Sequence, residues 1–377
     1  MIRMIYLDYS ATTPVRDEVL DTFVKVTKQY IGNPNSLHKL GMDARMLMNE
    51  ATRQIAQLLQ VREDEIIYTS SSSESNNLAI LGTVLKYPNR GKHIVTTRLE
   101  HSSILETVRF LEKYGYVIDY VNVLEDGRID IDDFCRLLSK ETILVTIGSV
   151  NSEVGVIQDI KRIAEIVKDY PTTFLHVDGT QAVGKIPVNL DGIDLFTFGS
   201  HKLHGLPGIA ALVKKHNVEI EPLIHGGKSQ SRYRSGTPTL ALIASFAKAL
   251  RLELADLSKK QIEILKLNRF LTQSLQQIDG VVINSNNHCL PSIINVSVPS
   301  IKPETMLHAL EAHDVYISTK TACSGEGDLS DPLVAMGKSQ EIANSSLRIS
   351  LSSETTLEEV KQFLKIFEQC VRELKIK

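Results

Sequence analysis

The chain has 377 residues, 42% hydrophobic and 23% charged, with a formal net charge of −3. That length exceeds one small core and points to two domains. The charge balance gives no footprint for direct nucleic-acid or membrane-surface binding. No apolar run reaches the length of a membrane span, and the first residues carry no leader-like apolar segment. Four cysteines, at 135, 289, 323 and 370, form neither a disulfide framework nor a metal cluster, so a reducing cytoplasm is the expected compartment.

In chain order, residues 4–8 read as a short strand, and Pro14 precedes a helix over about 15–30. A loop at Gly32-Asn33-Pro34-Asn35-Ser36 leads to a helix over 40–59, whose Met42, Met46, Leu47, Ile55 and Leu58 are expected in the core. Strand 65–69 runs into Ser70-Ser71-Ser72-Ser73 and a helix opened by Glu74-Ser75-Asn76-Asn77. A hydroxyl-rich turn at a helix N-terminus can cradle a phosphate, because unpaired N–H groups and the positive end of the helix dipole meet there. Strands at 93–97, 117–121 and 143–147 alternate with helices at 100–114, 130–139 and 159–169. This alternation implies right-handed crossovers and a largely parallel sheet. Further strands are expected at 208–213 and around Pro222-Leu223-Ile224, followed by one long helical stretch over 239–276. Strands near 281–283, 293–298, 315–317 and 347–351, with helices near 303–313 and 356–374, suggest a smaller α+β unit. The expected division is a large domain over 14–255 and a small one made of 1–13 and 256–377.

Two apolar runs end abruptly in polar groups: Phe174-Leu175-His176-Val177-Asp178, followed by Gln181, and Thr197-Phe198-Gly199-Ser200-His201-Lys202. Ligands of open α/β sheets sit beyond the carboxyl ends of such strands. Alone, the lysine is a solvated loop residue and the aspartate a helix cap. Together with the serine turn they match pyridoxal phosphate, which needs a lysine for its Schiff base and an acid for its ring nitrogen.

These segments carry a resemblance that spans nearly the whole chain. Tyr6 to Pro14, Gly32 to His38, Thr69 to Asn77, Glu100-His101, Val150 to Gly155, His176-Val177-Asp178, Ser200-His201-Lys202, Arg234 to Thr237, Ala322-Cys323-Ser324 and Ser346-Leu347-Arg348 occur in order. The chain resembles the class V aminotransferase branch of fold-type I pyridoxal phosphate enzymes, and within it the cysteine desulfurases of the NifS/IscS type. The resemblance implies that Lys202 holds the cofactor and shuttles protons, Asp178 pairs with the ring nitrogen, and Gln181 bonds the ring oxygen. His101 would stack on the ring and serve as an acid–base group. Ser72 and Ser73 with Ser200 and His201 would cup the phosphate, and Thr237 would be contributed to the partner's site in a homodimer. Arg348, with Asn151, would bind the substrate carboxylate; Asn151 would also contact the cofactor. Cys323, in a polar glycine-containing stretch, would attack the sulfur of L-cysteine, keep it as a persulfide and pass it to an acceptor protein, as in iron–sulfur cluster assembly or tRNA thiolation.

Cys135, Cys289 and Cys370 read as structural, and no metal is expected. The sequence departs from the family pattern in four places. Ser71-Ser72-Ser73 replaces Gly-Ala-Thr. Gly199 stands where a serine usually lies two places before the histidine. Ser231 precedes a displaced Arg232, and Ser352-Ser353 replaces Gly-Arg. Rival readings keep the cofactor but change the reaction (selenocysteine lyase, β-eliminating lyase, aminotransferase), or abandon catalysis for a sulfur-relay partner.

Overall fold

The computed structural model describes residues 4–227, 229–319 and 330–375. Its strands are β1 Ile5–Tyr6, β2 Ile66–Thr69, β3 His93–Thr97, β4 Val117–Val121, β5 Thr142–Gly148, β6 Phe174–Asp178, β7 Leu195–Gly199, β8 Ala210–Lys214, β9 Val282–Ile283, β10 Ile293–Ser297, β11 Val315–Tyr316 and β12 Ser346–Ser350. Its helices are α1 Asp17–Gln29, α2 Lys39–Leu59, α3 Ser72–Lys86, α4 Ser102–Glu112, α5 Ile131–Leu137, α6 Ile160–Val167, α7 Leu240–Leu254, α8 Leu257–Leu275, α9 Pro303–Glu311, α10 Asp331–Ala335, α11 Gln340–Asn344 and α12 Leu357–Lys375.

Seven strands form the central sheet in the order β2-β8-β7-β6-β5-β3-β4. Pairing is parallel from β7 through to β4, while β8 runs antiparallel to both β2 and β7. Strands β3, β5, β6, β7 and β8 are buried at nearly every position, because helices cover both faces and leave no solvated side. One apolar cluster, around Val145, Val177, Phe198 and Phe246, fills one face; another, around Ile80, Ile94, Leu144 and Leu212, fills the other. A separate core gathers Leu271, Ile294, Leu347, Phe363 and Phe367 about the three-stranded antiparallel sheet β12-β10-β9. This is the expected α/β architecture with a mostly parallel central sheet and a smaller α+β region.

Three expectations need correction. Pro222-Leu223-Ile224 is irregular, since Pro222 removes a ladder donor and no strand lies beside it. The helical stretch 239–276 breaks at Ala255-Asp256, where Asp256 adopts a left-handed conformation with φ of 54°. Met42 and Met46 are 52% and 63% exposed, because α2 turns Gly41, Ala44, Ala51 and Ile55 inward and leaves the methionines on its outer face. Cys370 and Cys289 are buried, whereas Cys135 is exposed. The predicted nucleophile Cys323 and the flanking 320–329 segment lie outside the described residues.

Candidate active site

Five turns meet above the carboxyl ends of the parallel strands, following β2, β3, β5, β6 and β7. They enclose a cavity of about 200 Å³. Lys202, Asp178, Gln181 and His201 line it from β6 and β7. Ser72 and Ser73 line it from the start of α3, and His101, Asn151 and Arg348 complete the wall. Ser200 is buried outside this lining, its hydroxyl turned toward Gly205, on which a Cβ would lie 2.1 Å from Ser200 Oγ. Thr237 is exposed and does not line the cavity of its own chain.

Asp178 ends β6 at 9% exposure. Its Oδ1 accepts from the Thr180 N–H at 2.9 Å and its Oδ2 from Asn76 Nδ2 at 2.8 Å. Lys202 Nζ donates to the carbonyls of Ser10 and Ala11 at 2.5 and 2.6 Å. Gln181 Nε2 donates to Ser10 O at 3.0 Å, and its Oε1 accepts from Lys185 Nζ at 2.5 Å. Burial and the neighbouring Lys202 hold the Lys185 ammonium down to about 7, against a partial opposing pull from Glu253.

His101 caps α4, and its Nδ1 accepts from the Ser103 N–H at 3.1 Å. That bond needs the Nδ1 lone pair, so the neutral ring carries its proton on Nε2. Burial lowers the His101 pKa, and Asp178 partly offsets this. His201 is pushed down to about 4 by burial and by Lys202, so it is a neutral imidazole at physiological pH. Also lining the cavity, Glu100 is pushed up to about 8 by burial, opposed by hydrogen bonds from Thr97 and the Gly148 N–H.

Ser71 caps α3 by accepting from the Glu74 N–H at 3.2 Å. Glu74 in turn takes Arg234 Nε at 2.8 Å and the Ser70 N–H at 2.8 Å, joining the serine turn to the segment that bears Thr237. On the opposite wall Arg348 is 1% exposed; its Nη2 donates to Asp8 Oδ1 at 2.8 Å and its Nη1 to Ser152 O at 3.1 Å, while Nε has no partner among the described residues. Asn151 is committed to backbone: its Nδ2 donates to Leu99 O, and its Oδ1 accepts from the Glu153 and Val154 N–H groups.

Sequence reasoning missed Asn76, Ser103, Lys185 and Asp8. The signal for Asn76 was present: a polar residue near the start of a helix packed among apolar strands. The others become visible only once distant segments meet.

A model of the family described as Aminotransferase class-V matches residues 5–363. The chain is 37% identical over 380 residues to a protein of Dictyoglomus turgidum named cysteine desulfurase IscS, covering 100% of this chain and 96% of that one. It is 41% identical over 372 residues to a NifS/IcsS protein homolog of Lactobacillus delbrueckii subsp. bulgaricus, covering 97% of each. Among solved structures, a NifS-like protein superposes with a TM-score of 0.93 at 34% identity, covering 98% of this chain and 100% of that one. A NifS-like protein from Rickettsia africae gives 0.87 at 32% identity, covering 98% and 99%.

Proposed function

Since the chain belongs to the class V aminotransferase family, we propose that it is an L-cysteine desulfurase that releases L-alanine and keeps the sulfur as a persulfide on Cys323. The reading is carried by one juxtaposition: an amine, a hydrogen-bonded carboxylate and a buried arginine face one cavity, at Lys202, Asp178 and Arg348, in a chain similar along its length to desulfurases.

The cavity residues fit pyridoxal phosphate. Among the described residues Ser72 Oγ and Arg348 Nε are buried polar atoms without partners, and the N-terminal residues of α3 line the same cavity. The donor set has an amine for the aldehyde, an anion for the ring nitrogen and hydroxyls for the phosphate. When bound, the cofactor supplies an electron sink for bond breaking at the substrate α-carbon. Lys202 would hold it and move a proton at that carbon, for which the neutral amine is the competent form. Asp178, fixed by Asn76 and Thr180, would keep the proton on the ring nitrogen. Gln181 has one Nε2 hydrogen free of the Ser10 bond to offer the ring oxygen, because Lys185 holds its carbonyl end. His101 would stack on the ring and donate from Nε2. Ser72, Ser73 and neutral His201 would donate to the phosphate, with Ser200 buried beneath them.

Arg348 would pair with the substrate carboxylate, with Asn151 holding the adjoining backbone in place. The Cys323 thiolate would attack the substrate sulfur; the carbon–sulfur bond breaks, and a returned proton yields alanine. We further propose a cytoplasmic homodimer in which Thr237 serves the partner's site, domains over 14–255 and over 1–13 with 256–377, and transfer of the persulfide to an acceptor protein. Among the described residues no helix is long and apolar enough to cross a membrane.

The test is release of alanine and sulfide from L-cysteine by the cofactor-loaded protein and by Cys323→Ala, with an added dithiol that reduces the persulfide to free sulfide and is itself oxidised to the disulfide. Equal amounts from the wild type, and none from a variant that keeps its cofactor absorbance, are expected. A variant that still turns over cysteine would move a β-eliminating lyase to the front.

A further inference from the structure

Ser72 is the first residue of α3, and Gly199 is the last residue of β7. Ser72 Oγ is buried and has no hydrogen-bond partner among the described residues, although its residue lines the cavity. A Cβ placed on Gly199 would lie 2.5 Å from that oxygen, well inside any contact a real Cβ tolerates. One hydroxyl-sized space therefore lies between the two positions, and Ser72 fills it from the helix side. Two of the four sequence departures fall here, a serine gained at 72 and a side chain lost at 199. The neighbouring serine is no substitute: Ser200 Oγ is also without a partner, but it faces Gly205 behind the cavity wall.

We propose that Ser72 and Gly199 form a reciprocal pair, in which the helix N-terminus supplies the phosphate-binding hydroxyl that the strand end lacks, and Ser72 requires position 199 to stay free of a side chain. The two departures are then one change, made on both sides of a single contact. Moving the hydroxyl from strand to helix places it beside the N–H groups of the first turn, where an anion is already favoured. The inference rests on the pyridoxal phosphate reading above.

The test uses four full-length proteins: wild type, Ser72→Ala, Gly199→Ser, and the double variant. Each is titrated with pyridoxal phosphate after the cofactor is stripped, and each is melted without it. Ser72→Ala should weaken cofactor binding by about tenfold or more, the loss of one hydrogen bond to a charged group, with an unchanged melt. Gly199→Ser should lower the melting temperature and weaken binding at least as much, through the clash with Ser72 Oγ. The double variant should regain the wild-type melt and bind within about threefold of wild type, since the hydroxyl then comes from the strand side. Independent effects that simply multiply in the double variant would overturn the pairing. A Ser72→Ala protein that binds as tightly as wild type would overturn the hydroxyl assignment. If wild type does not bind pyridoxal phosphate at all, the cofactor reading and the hydroxyl assignment fall together, and the cofactor-free melts still decide the steric half.

Discussion

Asn76 shows how much of the site's chemistry is held one contact away from the reacting groups. It is fully buried at the start of the second turn of α3, and its Nδ2 donates to Asp178 Oδ2 at 2.8 Å and to Ser103 Oγ at 2.9 Å. Ser103 in turn fixes the His101 ring. Asn76→Ala should leave cofactor absorbance in place, lower kcat about tenfold and leave KM within about threefold, because it loosens the carboxylate without removing it. A variant that instead loses its cofactor would make Asn76 a binding residue. Glu100, with its pKa raised from 4.5 to about 8, makes a second prediction. Below pH 4.5 the carboxyl is protonated in both folded and unfolded chains, and its contribution to stability is fully present. As pH rises toward 8 the unfolded chain ionises freely while the folded one resists, so that contribution is lost. Glu100→Gln keeps the group neutral, with its amide oxygen able to take the Gly148 N–H. Urea unfolding should therefore find the variant equal to wild type near pH 4.5 and more stable at pH 8, the gap growing by at most about 1.4 kcal/mol per pH unit. A variant less stable at pH 8 would mean the native carboxyl is ionised there.

At the scale of elements, the segment from Leu7 to Thr13 ties the small antiparallel sheet to Lys202. Ser10 N donates to Ser350 Oγ, Ser350 N to Leu7 O, Lys202 to Ser10 O and Ala11 O, and Thr13 Oγ1 to His201 O. The same segment brings the Asp8 carboxylate to Arg348, so the guanidinium expected to bind substrate is already part-neutralised. Asp8→Asn should act in two opposite directions. It leaves a buried cation without its counter-ion, costing on the order of 2 kcal/mol of stability in the substrate-free protein. It also removes a competitor for the substrate carboxylate, so KM for cysteine should fall a few-fold. Thermal melts with and without a saturating amino acid read both: the loss should shrink when ligand is present. Tertiary ties of this kind had no sequence signature, whereas the central strands did. β6 spans Phe174–Asp178 as expected, because an apolar run that stops at a polar residue is both the strand and its exit. Pro222-Leu223-Ile224 has the same local composition without a neighbouring strand, and composition cannot supply one.

Across the whole molecule, the positions most legible in the sequence were those where one strand end carries one reactive group, such as Asp178 and Lys202. Ser200 and Thr237 were less so, because their use depends on side-chain direction and on a second chain. Thr237 is exposed on its own subunit, linked through Arg234 and Glu74 to the serine turn, and outside its own cavity. Around the end of α1 and the first half of α2, Ile31, Leu40 and Met46, 77%, 50% and 63% exposed, line one surface hollow, more than scattered single residues. Both features fit a site completed by another copy, and mixing variants tests it. Lys202→Ala keeps Thr237 but lacks the amine, and Thr237→Ala keeps the lysine but lacks the hydroxyl. If Thr237 serves the opposite subunit, a hybrid dimer has one site with both groups intact and one with neither. Unfolding and refolding an equimolar mixture should then restore about a quarter of the wild-type sites, above the sum of the separate variants, in a species of twice 42.0 kDa. If Thr237 serves its own subunit, every lysine-bearing site in the hybrid still lacks it, and mixing restores nothing.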